Sequence, residues 1–221
     1  MKQHCKPMTL FFLAVELALY YLILTTGGNV LVAASYTAIV LCFLFALVGI
    51  RKENIWLVSG LLFTVFADYC LVICNPMEQL WGMVFFLLAQ SCYAIKIHRS
   101  DMPKAMLPIR ISLIAMVELI TVAVLREKTD PLALVSMAYY VNLVMNLICA
   151  CSRFRENKLL AIGFVCFLLC DTVIGLQVAA GAYLPIPEGS VIHNIIFMPF
   201  NLSWFFYLPS QVMIALTTRK Q

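Results

Sequence analysis

Residues 55–74 read IWLVSGLLFTVFADYCLVIC, an apolar run with a single charged side chain, Asp68. A helix needs about 20 mainly apolar residues to cross the hydrocarbon core of a bilayer, so this stretch predicts a transmembrane helix. Similar stretches predict further spans at residues 8–25, 30–49, 80–98, 105–125, 131–150, 158–180 and 191–217. The chain is therefore expected to be an all-α, polytopic transmembrane helix bundle of about eight spans.

The composition of the whole chain agrees with a membrane protein. Of its 221 residues, 63% are hydrophobic and only 12% are charged, and the mean hydropathy is +0.96. Soluble domains carry about 25% charged residues, so a soluble fold could not bury this much apolar surface. We expect residues 1–221 to form a single integral, multi-pass membrane domain. Because the chain is compact with almost no tails, a bacterial cytoplasmic membrane is the expected location.

Basic residues fall mainly on one side of the eight-span arrangement. Of the 15 Lys and Arg residues, only Arg126 and Lys128 fall on the other side. The remaining basic residues are Lys2, Lys6, Arg51, Lys52, Lys96, Arg99, Lys104, Arg110, Arg153, Arg155, Lys158, Arg219 and Lys220. Positive residues favour the cytoplasmic side of a membrane, so both termini are predicted in the cytoplasm. The net positive charge follows from this bias and predicts no nucleic-acid partner.

The two halves of the chain resemble each other when one is shifted by 102 to 103 residues. This shift aligns Glu16 with Glu118 and Asp68 with Asp171, and the last span of each half carries one amide, Gln90 or Gln211. The pattern predicts a parallel repeat of four plus four helices, with half-repeats at residues 1–98 and 105–221, related by an axis along the membrane normal. Chance similarity among apolar helices is the alternative.

Carboxylates inside the predicted spans are the first candidates for chemistry. An ionised Asp near the bilayer centre costs about 2.5 to 3.5 kcal/mol, so each is expected to face the bundle interior and to have a partner. Asp68 and Asp171 each lie about 20 Å from the cytoplasmic ends of their helices and therefore share one depth. Two carboxyls that meet in a low dielectric would share one proton, which provides an acid and an anion. A role in assembly alone is the alternative.

Polar side chains of neighbouring spans are expected at a similar level. Asn142 and Asn146 share a helical face because they are four residues apart, and so do Tyr207 and Gln211. Gln90 lies at a similar depth, and Tyr139 extends the stripe that Asn142 begins. Hydrogen bonds that only hold the helices together are the alternative.

The histidines do not predict a metal site. His4, His98 and His193 lie at the ends of spans and on opposite sides of the membrane, so a three-histidine zinc site is excluded. This argues against a zinc hydrolase of the alkaline ceramidase type. A serine hydrolase is disfavoured because no GxSxG motif occurs and no histidine lies in the interior of the membrane. No metal or cofactor is predicted.

Four short motifs occur in a fixed order: FADYCL around Asp68, AQSCY at residues 89–93, FLLCDTVIGL around Asp171, and YLPSQVMI at residues 207–214. They resemble the GD-x-x-L, AH-x-x-Y, F-x-x-SD-x-x-L and YY-x-AQ-x-L-I elements of the YhhN family of membrane proteins, which includes the lysoplasmalogenases. Gln90 stands where the second element has a histidine. The order of the motifs, the number of spans and both aspartates match the family.

The resemblance implies hydrolysis of the vinyl ether of a lyso-ether phospholipid, which the protein would take from the bilayer. It implies that Asp68 and Asp171 are the acid and the anion, in an order that the sequence leaves open. The residues expected to position substrate or water are Tyr207, Gln211, Gln90, Tyr93, Asn142 and Asn146. The alternative is a non-enzymatic membrane protein, either a proton-coupled small-molecule transporter or a lipid-binding or lipid-sensing bundle. The oligomeric state is left open.

Overall fold

A computed structural model gives the fold and describes residues 5–98, 103, 105–182, 186–198 and 200–219. All regular secondary structure in these residues is helical. The α-helices are α1 (Cys5–Thr25), α2 (Gly28–Val48), α3 (Ile55–Asp68), α4 (Gln79–His98), α5 (Met106–Leu125), α6 (Pro131–Ser152), α7 (Lys158–Ala182), α8 (Val191–Ile196) and α9 (Leu202–Thr217). A 3-10 turn at Lys52–Asn54 precedes α3, and a π-helix at Tyr69–Ile73 follows it.

Seven helices in the described part of the chain are long and apolar enough to cross a bilayer, which confirms a polytopic helix bundle. They are α1, α2, α4, α5, α6, α7 and the helical stretch that contains α3. Their outer faces carry large exposed apolar side chains. On α5, for example, Leu107, Leu119 and Val124 are all more than half exposed. Side chains of this kind suit a surface that faces lipid rather than water.

The predicted eighth span at residues 191–217 is wrong as one continuous helix. The structure divides it into α8 and α9, and α9 has only 16 residues. In the sequence Pro199 lies between them, and proline disfavours helical backbone in the residue before it, here Met198. Asn201 then caps α9 by accepting a hydrogen bond from the backbone N–H of Trp204 at 3.3 Å.

A second proline lies inside α9 and is compensated by α1. Pro209 has no N–H to donate to the carbonyl of Phe205, four residues earlier. The hydroxyl of Tyr20 on α1 donates a hydrogen bond to that carbonyl at 3.0 Å. Neighbouring helices commonly satisfy the backbone groups that a proline frees within a membrane. Tyr20 therefore links α1 to α9.

The core forms where small residues let helices approach closely. The most extensive contacts are those of α7 with α9, of α3 with α4, and of α4 with α6. A methyl group added to Gly163 on α7 would lie 3.2 Å from the backbone oxygen of Ser210 on α9. One added to Gly60 on α3 would overlap the ring of Tyr93 on α4. Small residues at interfaces are typical of membrane helix packing.

The pattern of helix contacts repeats along the chain. In the first half, α1 packs on α2, α2 on α3, and α3 on α4. The corresponding pairs of the second half are α5 with α6, α6 with α7, and α7 with α9. The halves also contact each other in two matching pairs, α4 with α6 and α9 with α2. A four-plus-four arrangement would produce such pairs. The halves differ at their first helices, since α1 also contacts α9 whereas α5 packs chiefly on α6. The internal repeat and its boundaries stay predictions.

Several helix ends meet at one end of the bundle. The side chain of Asn54, just before α3, donates a hydrogen bond to the carbonyl of Thr218 at 2.9 Å. Arg219, just beyond α9, donates a hydrogen bond to the carbonyl of Phe45 on α2 at 3.1 Å and lies 4.0 Å from the sulfur of Met8 on α1. The first turns of α1 and the last turn of α9 therefore lie at the same end.

We call this end the basic end, because it carries Arg51, Lys52, Lys96, Arg153, Arg155, Lys158 and Arg219. Four of the residues used to predict the orientation, Lys2, Arg99, Lys104 and Lys220, lie outside the described residues. The assignment of the basic end to the cytoplasm stays a prediction.

Candidate functional site

Asp68 is the last residue of α3 and lies where the helix widens. Its side chain is 3% exposed. The hydroxyl of Tyr207 on α9 donates a hydrogen bond to Asp68 Oδ2 at 2.6 Å. In the following π-helix, the N–H of Cys74 donates to the carbonyl of Tyr69, five residues earlier, at 3.0 Å. Single π-turns inside α-helices occur frequently at functional sites.

Asp171 is bound in a similar way by a tyrosine of another helix. It lies in the middle of α7 and is half-buried. The hydroxyl of Tyr139 on α6 donates a hydrogen bond to Asp171 Oδ2. The next residues of the two helices also meet, since the hydroxyls of Tyr140 and Thr172 lie 3.0 Å apart. Each aspartate thus accepts a hydrogen bond from a tyrosine on a neighbouring helix.

One aromatic cluster, formed by Phe86, Tyr139, Phe167 and Tyr207, connects the two aspartates. The ring of Phe86 lies 5.7 Å from that of Tyr139 and 6.1 Å from that of Tyr207. The ring of Phe167 lies 5.5 Å from that of Tyr207 and 5.9 Å from that of Phe86. The third and seventh predicted spans therefore present their aspartates to one cluster.

Three amides expected beside the aspartates, Gln90, Asn142 and Asn146, form a separate group. Together with Ser91 we call this group the amide layer. The side-chain nitrogen of Asn146 donates to the backbone oxygen of Gln90 at 2.8 Å and to its Oε1 at 2.9 Å. That of Asn142 donates to Ser91 Oγ at 3.3 Å. On α6 the layer begins three residues beyond Tyr139, about 4.5 Å nearer the basic end.

Arg110 is the residue that the sequence reasoning missed. The sequence accounts for Arg110 only as part of the charge bias, whereas its side chain is 4% exposed and reaches from α5 against α6. Its Nη1 donates to the side-chain oxygen of Asn142 and, at 3.3 Å, to the Asn142 carbonyl. The guanidinium also lies beside the thiol of Cys149. A position five residues inside a predicted span was the available signal.

Two other residues predicted to position substrate or water, Tyr93 and Gln211, are buried but form no hydrogen bond with either aspartate. Tyr93 packs its ring 5.7 Å from that of Phe164, and Gln211 donates to Ser210 Oγ at 3.2 Å. The Tyr93 hydroxyl and Gln211 Oε1 have no hydrogen-bond partner in the described part of the chain.

Unsatisfied polar atoms also occur in the amide layer. Within the described residues, Gln90 Nε2, Asn146 Oδ1, and Nε and Nη2 of Arg110 have no hydrogen-bond partner. Buried polar groups are nearly always bonded in native proteins. These donors and acceptors are therefore suited to bind water or a polar group of a ligand.

The remaining predicted acids lie elsewhere. Glu16 on α1 is 3% exposed, and its Oε1 accepts a hydrogen bond from the thiol of Cys42 at 3.5 Å. Glu118 on α5 is half-buried beside the backbone of Ala138. Glu16 and Asp68 are thus buried in the interior as expected. Glu118 lies on the peripheral helix α5 and is only half-buried.

Neither His98 nor His193 belongs to this cluster. His98, the last residue of α4, has its Nδ1 2.9 Å from the carbonyl of Ala94. His193 in α8 packs its ring 4.8 Å from that of Phe197. His4 lies outside the described residues. Where the structure describes the chain, no group of three His, Cys, Asp or Glu side chains is arranged to hold a metal ion.

Comparison with known proteins supplies the relationship that the motifs suggested. A family model described as the YhhN family matches residues 28–218. The chain belongs to the YhhN family. No curated protein and no solved structure matches it. In this YhhN protein the matched range contains both aspartates, their tyrosines, the amide layer and Arg110, whereas Glu16 precedes it.

Proposed function

We propose that this YhhN protein is a membrane hydrolase of the lysoplasmalogenase type, which cleaves the vinyl ether of a lyso-ether phospholipid. The observation that carries the proposal is the pair of aspartates on one aromatic cluster, each bound by a tyrosine from another helix. Membership of the YhhN family supports the reaction class. The substrate comes from the bilayer, and the products are a fatty aldehyde and a glycerophospho head group.

The reaction needs one acid, one anion and one water molecule. A protonated carboxyl of the pair donates its proton to the alkenyl carbon remote from the ether oxygen, which leaves an oxocarbenium ion. The ionised carboxyl stabilises this cation and then takes a proton from the attacking water. The resulting hemiacetal collapses to the aldehyde and the free alcohol of the head group. One water is consumed, and the proton returns to the pair.

The difference in exposure between the two aspartates favours one assignment of roles. Asp171 is half-buried, whereas Asp68 is enclosed. The acid must touch the alkenyl carbon, so Asp171 is the acid and Asp68 the anion. Tyr139 and Tyr207 are positioning residues, since each fixes one oxygen of a carboxyl and leaves the other oxygen for the reaction.

Arg110 supplies a charge that suits such a substrate. A buried guanidinium with donors that lack an oxygen acceptor is well matched to a phosphate, which accepts paired N–H groups. It lies against Asn142, about 4.5 Å along α6 from the residue that binds Asp171. The phosphate and the vinyl ether of a lysophospholipid are separated by a glycerol unit, so Arg110 binds the phosphate while the aspartates face the ether.

The experiment measures aldehyde release from lysoplasmalogen by the purified protein in D2O. Protonation at carbon predicts one deuterium on the carbon next to the aldehyde, detected by mass spectrometry after immediate reduction to the alcohol. Asp68→Asn and Asp171→Asn should each abolish release. Glu16→Gln is the matched control, because it removes a buried carboxyl outside the cluster, and it should retain release. Equal loss of release in all three variants would contradict the proposal.

Proton-coupled transport is the second candidate, and the burial of Glu16 favours it. This carboxyl lies within a span, and its hydrogen-bond donor is the Cys42 thiol rather than a cation, as in groups that carry protons through membranes. Transport predicts pH-driven flux into vesicles that Glu16→Gln abolishes, with no aldehyde released by the wild type. The same three variants therefore separate the two functions.

A further inference from the structure

A cavity of about 570 Å³ opens at the basic end, between the ends of α4, α6, α7 and α9. It lies apart from the aspartates, and none of the residues of the aromatic cluster lines it. Its wall carries four cationic side chains: Lys96, Arg153, Arg155 and Lys158. Among the described residues that line it, Glu156 is the one acid, and it is already paired with Arg153 at 2.6 Å.

Two of the four cationic groups, Lys96 and Arg153, are held by contacts with neighbouring groups. The Nζ of Lys96 donates to the Glu53 carbonyl at 2.7 Å and to the side-chain oxygen of Asn54 at 3.2 Å. Asn54 is itself buried and bound to the carbonyl of Thr218. Arg153 turns one nitrogen, Nη2, toward Glu156, while its buried Nη1 has no hydrogen-bond partner among the described residues. The guanidinium of Arg153 therefore lines the cavity with part of its hydrogen-bonding capacity unused.

Backbone groups add to the positive potential. The first turn of α7, residues 158–160, forms part of the wall. The first N–H groups of an α-helix have no acceptor within the helix, and its amino end carries a partial positive charge. Such an end is a common place for phosphate to bind when cationic side chains accompany it.

The general bias of basic residues toward one side of a membrane does not account for this arrangement. Arg51 and Lys52 lie at the same end with exposed side chains, yet neither lines the cavity. The four cations of the cavity, by contrast, come from three different helices or connections and converge on one concave surface.

We propose that this cavity is a binding site for a phosphate group, carried either by a lipid head group or by a soluble phosphate ester. Guanidinium and ammonium groups together with helix N–H groups are the donors that phosphate oxygens accept best. The dimensions of the cavity accommodate a phosphate with a small substituent such as glycerol.

This site is distinct from the one proposed for the reaction. Along α7, the path from Lys158 to Asp171 covers about 20 Å. A lysophospholipid whose phosphate occupies the cavity therefore cannot place its vinyl ether at the aspartates, because only a glycerol unit separates these two groups. The inference goes beyond the proposed function and does not depend on it.

The test measures binding to the purified full-length protein by isothermal titration calorimetry at constant ionic strength, with chloride as the blank. The probes are inorganic phosphate, glycerol 3-phosphate, and lysophosphatidylglycerol below its micellar concentration. Each is titrated into the wild type and into Asp68→Asn. We expect equal binding to these two proteins, because Asp68 does not line the cavity. A protein that has lost hydrolysis would then still bind the probes, so failure of one proposal can be distinguished from failure of the other.

The decisive comparison is between two double variants with the same change of charge at the same end of the bundle. Arg155→Gln/Lys158→Gln removes two cations of the cavity, and Arg51→Gln/Lys52→Gln removes two outside it. The first should raise the Kd by about tenfold or more, and the second by less than about twofold. Arg155→Gln alone, with a smaller rise, serves if the double variant does not fold.

Each result of these titrations either supports the phosphate site or contradicts it. Saturable binding of glycerol 3-phosphate or inorganic phosphate, lost in the cavity variant, supports the site and assigns it to a soluble ester. Binding of lysophosphatidylglycerol alone, lost in the same variant, supports it and assigns it to a lipid head group. Absence of saturable binding by all three probes, or equal weakening in the two double variants, overturns the proposal.

Discussion

The hydroxyl of Tyr207 donates a 2.6 Å hydrogen bond to Asp68, which joins the end of α3 to the middle of α9. The same ring packs edge-on against Phe86 and Phe167. Tyr207 thus belongs at once to the carboxyl pair and to the aromatic cluster. Its position explains why an enclosed acid in an apolar core has a defined orientation.

Tyr207→Phe should lower the kcat for aldehyde release by about 100-fold and leave KM nearly unchanged. Loss of one donor to a reacting group commonly costs this much, whereas the ring and its packing remain. The rate and KM are measured with lysoplasmalogen in detergent micelles. A higher KM with an unchanged kcat would show that Tyr207 binds substrate and does not position Asp68.

Tyr20→Phe is the control for that measurement. It removes a hydroxyl that also bonds to α9, at the carbonyl of Phe205, and it does not touch a carboxyl. We expect a loss of about 1 kcal/mol in the free energy of unfolding, seen as a lower melting temperature, with kcat retained. If both variants lose activity in proportion to stability, the Tyr207 bond is structural.

Gly60→Ala should destabilise the bundle, because the added methyl would lie 2.1 Å from a carbon of the Tyr93 ring. Relief of this overlap requires α3 and α4 to separate, and overpacking of this kind costs about 1 to 3 kcal/mol. Gly175→Ala on α7 is the matched control, since no atom lies within 4 Å of the added methyl. It should be neutral or stabilising by up to about 1 kcal/mol. Thermal unfolding in detergent measures both, and equal melting temperatures would contradict the close packing.

Arg110→Met should raise the KM for lysoplasmalogen by about tenfold or more and change kcat less. The phosphate is bound equally in the ground state and the transition state, so its loss affects binding rather than the chemical step. Arg126→Met is the control, because this exposed arginine lies beyond the far end of α5. Steady-state kinetics distinguish them, and an unchanged KM in Arg110→Met would leave Arg110 with a packing role only.

Comparison of residues 55–74 and 191–217 shows how far the apolar runs predict the helices. Both runs have the length and composition of a span, and the first is helical throughout residues 55–73. The second breaks between α8 and α9. Hydropathy measures only whether a segment prefers lipid. It does not detect where a proline and a capping asparagine interrupt the backbone hydrogen bonds.

Sequence alone determined the membrane class, most of the helix positions and the family, because each follows from local composition or from short motifs. Only the tertiary structure decided which tyrosine binds which aspartate, that the amides bind one another, and that Arg110 is buried. These depend on the rotation of each helix about its axis and on which helices are neighbours. Helices that are apolar on nearly all faces carry little information about that rotation, so the partners emerge only when the bundle packs.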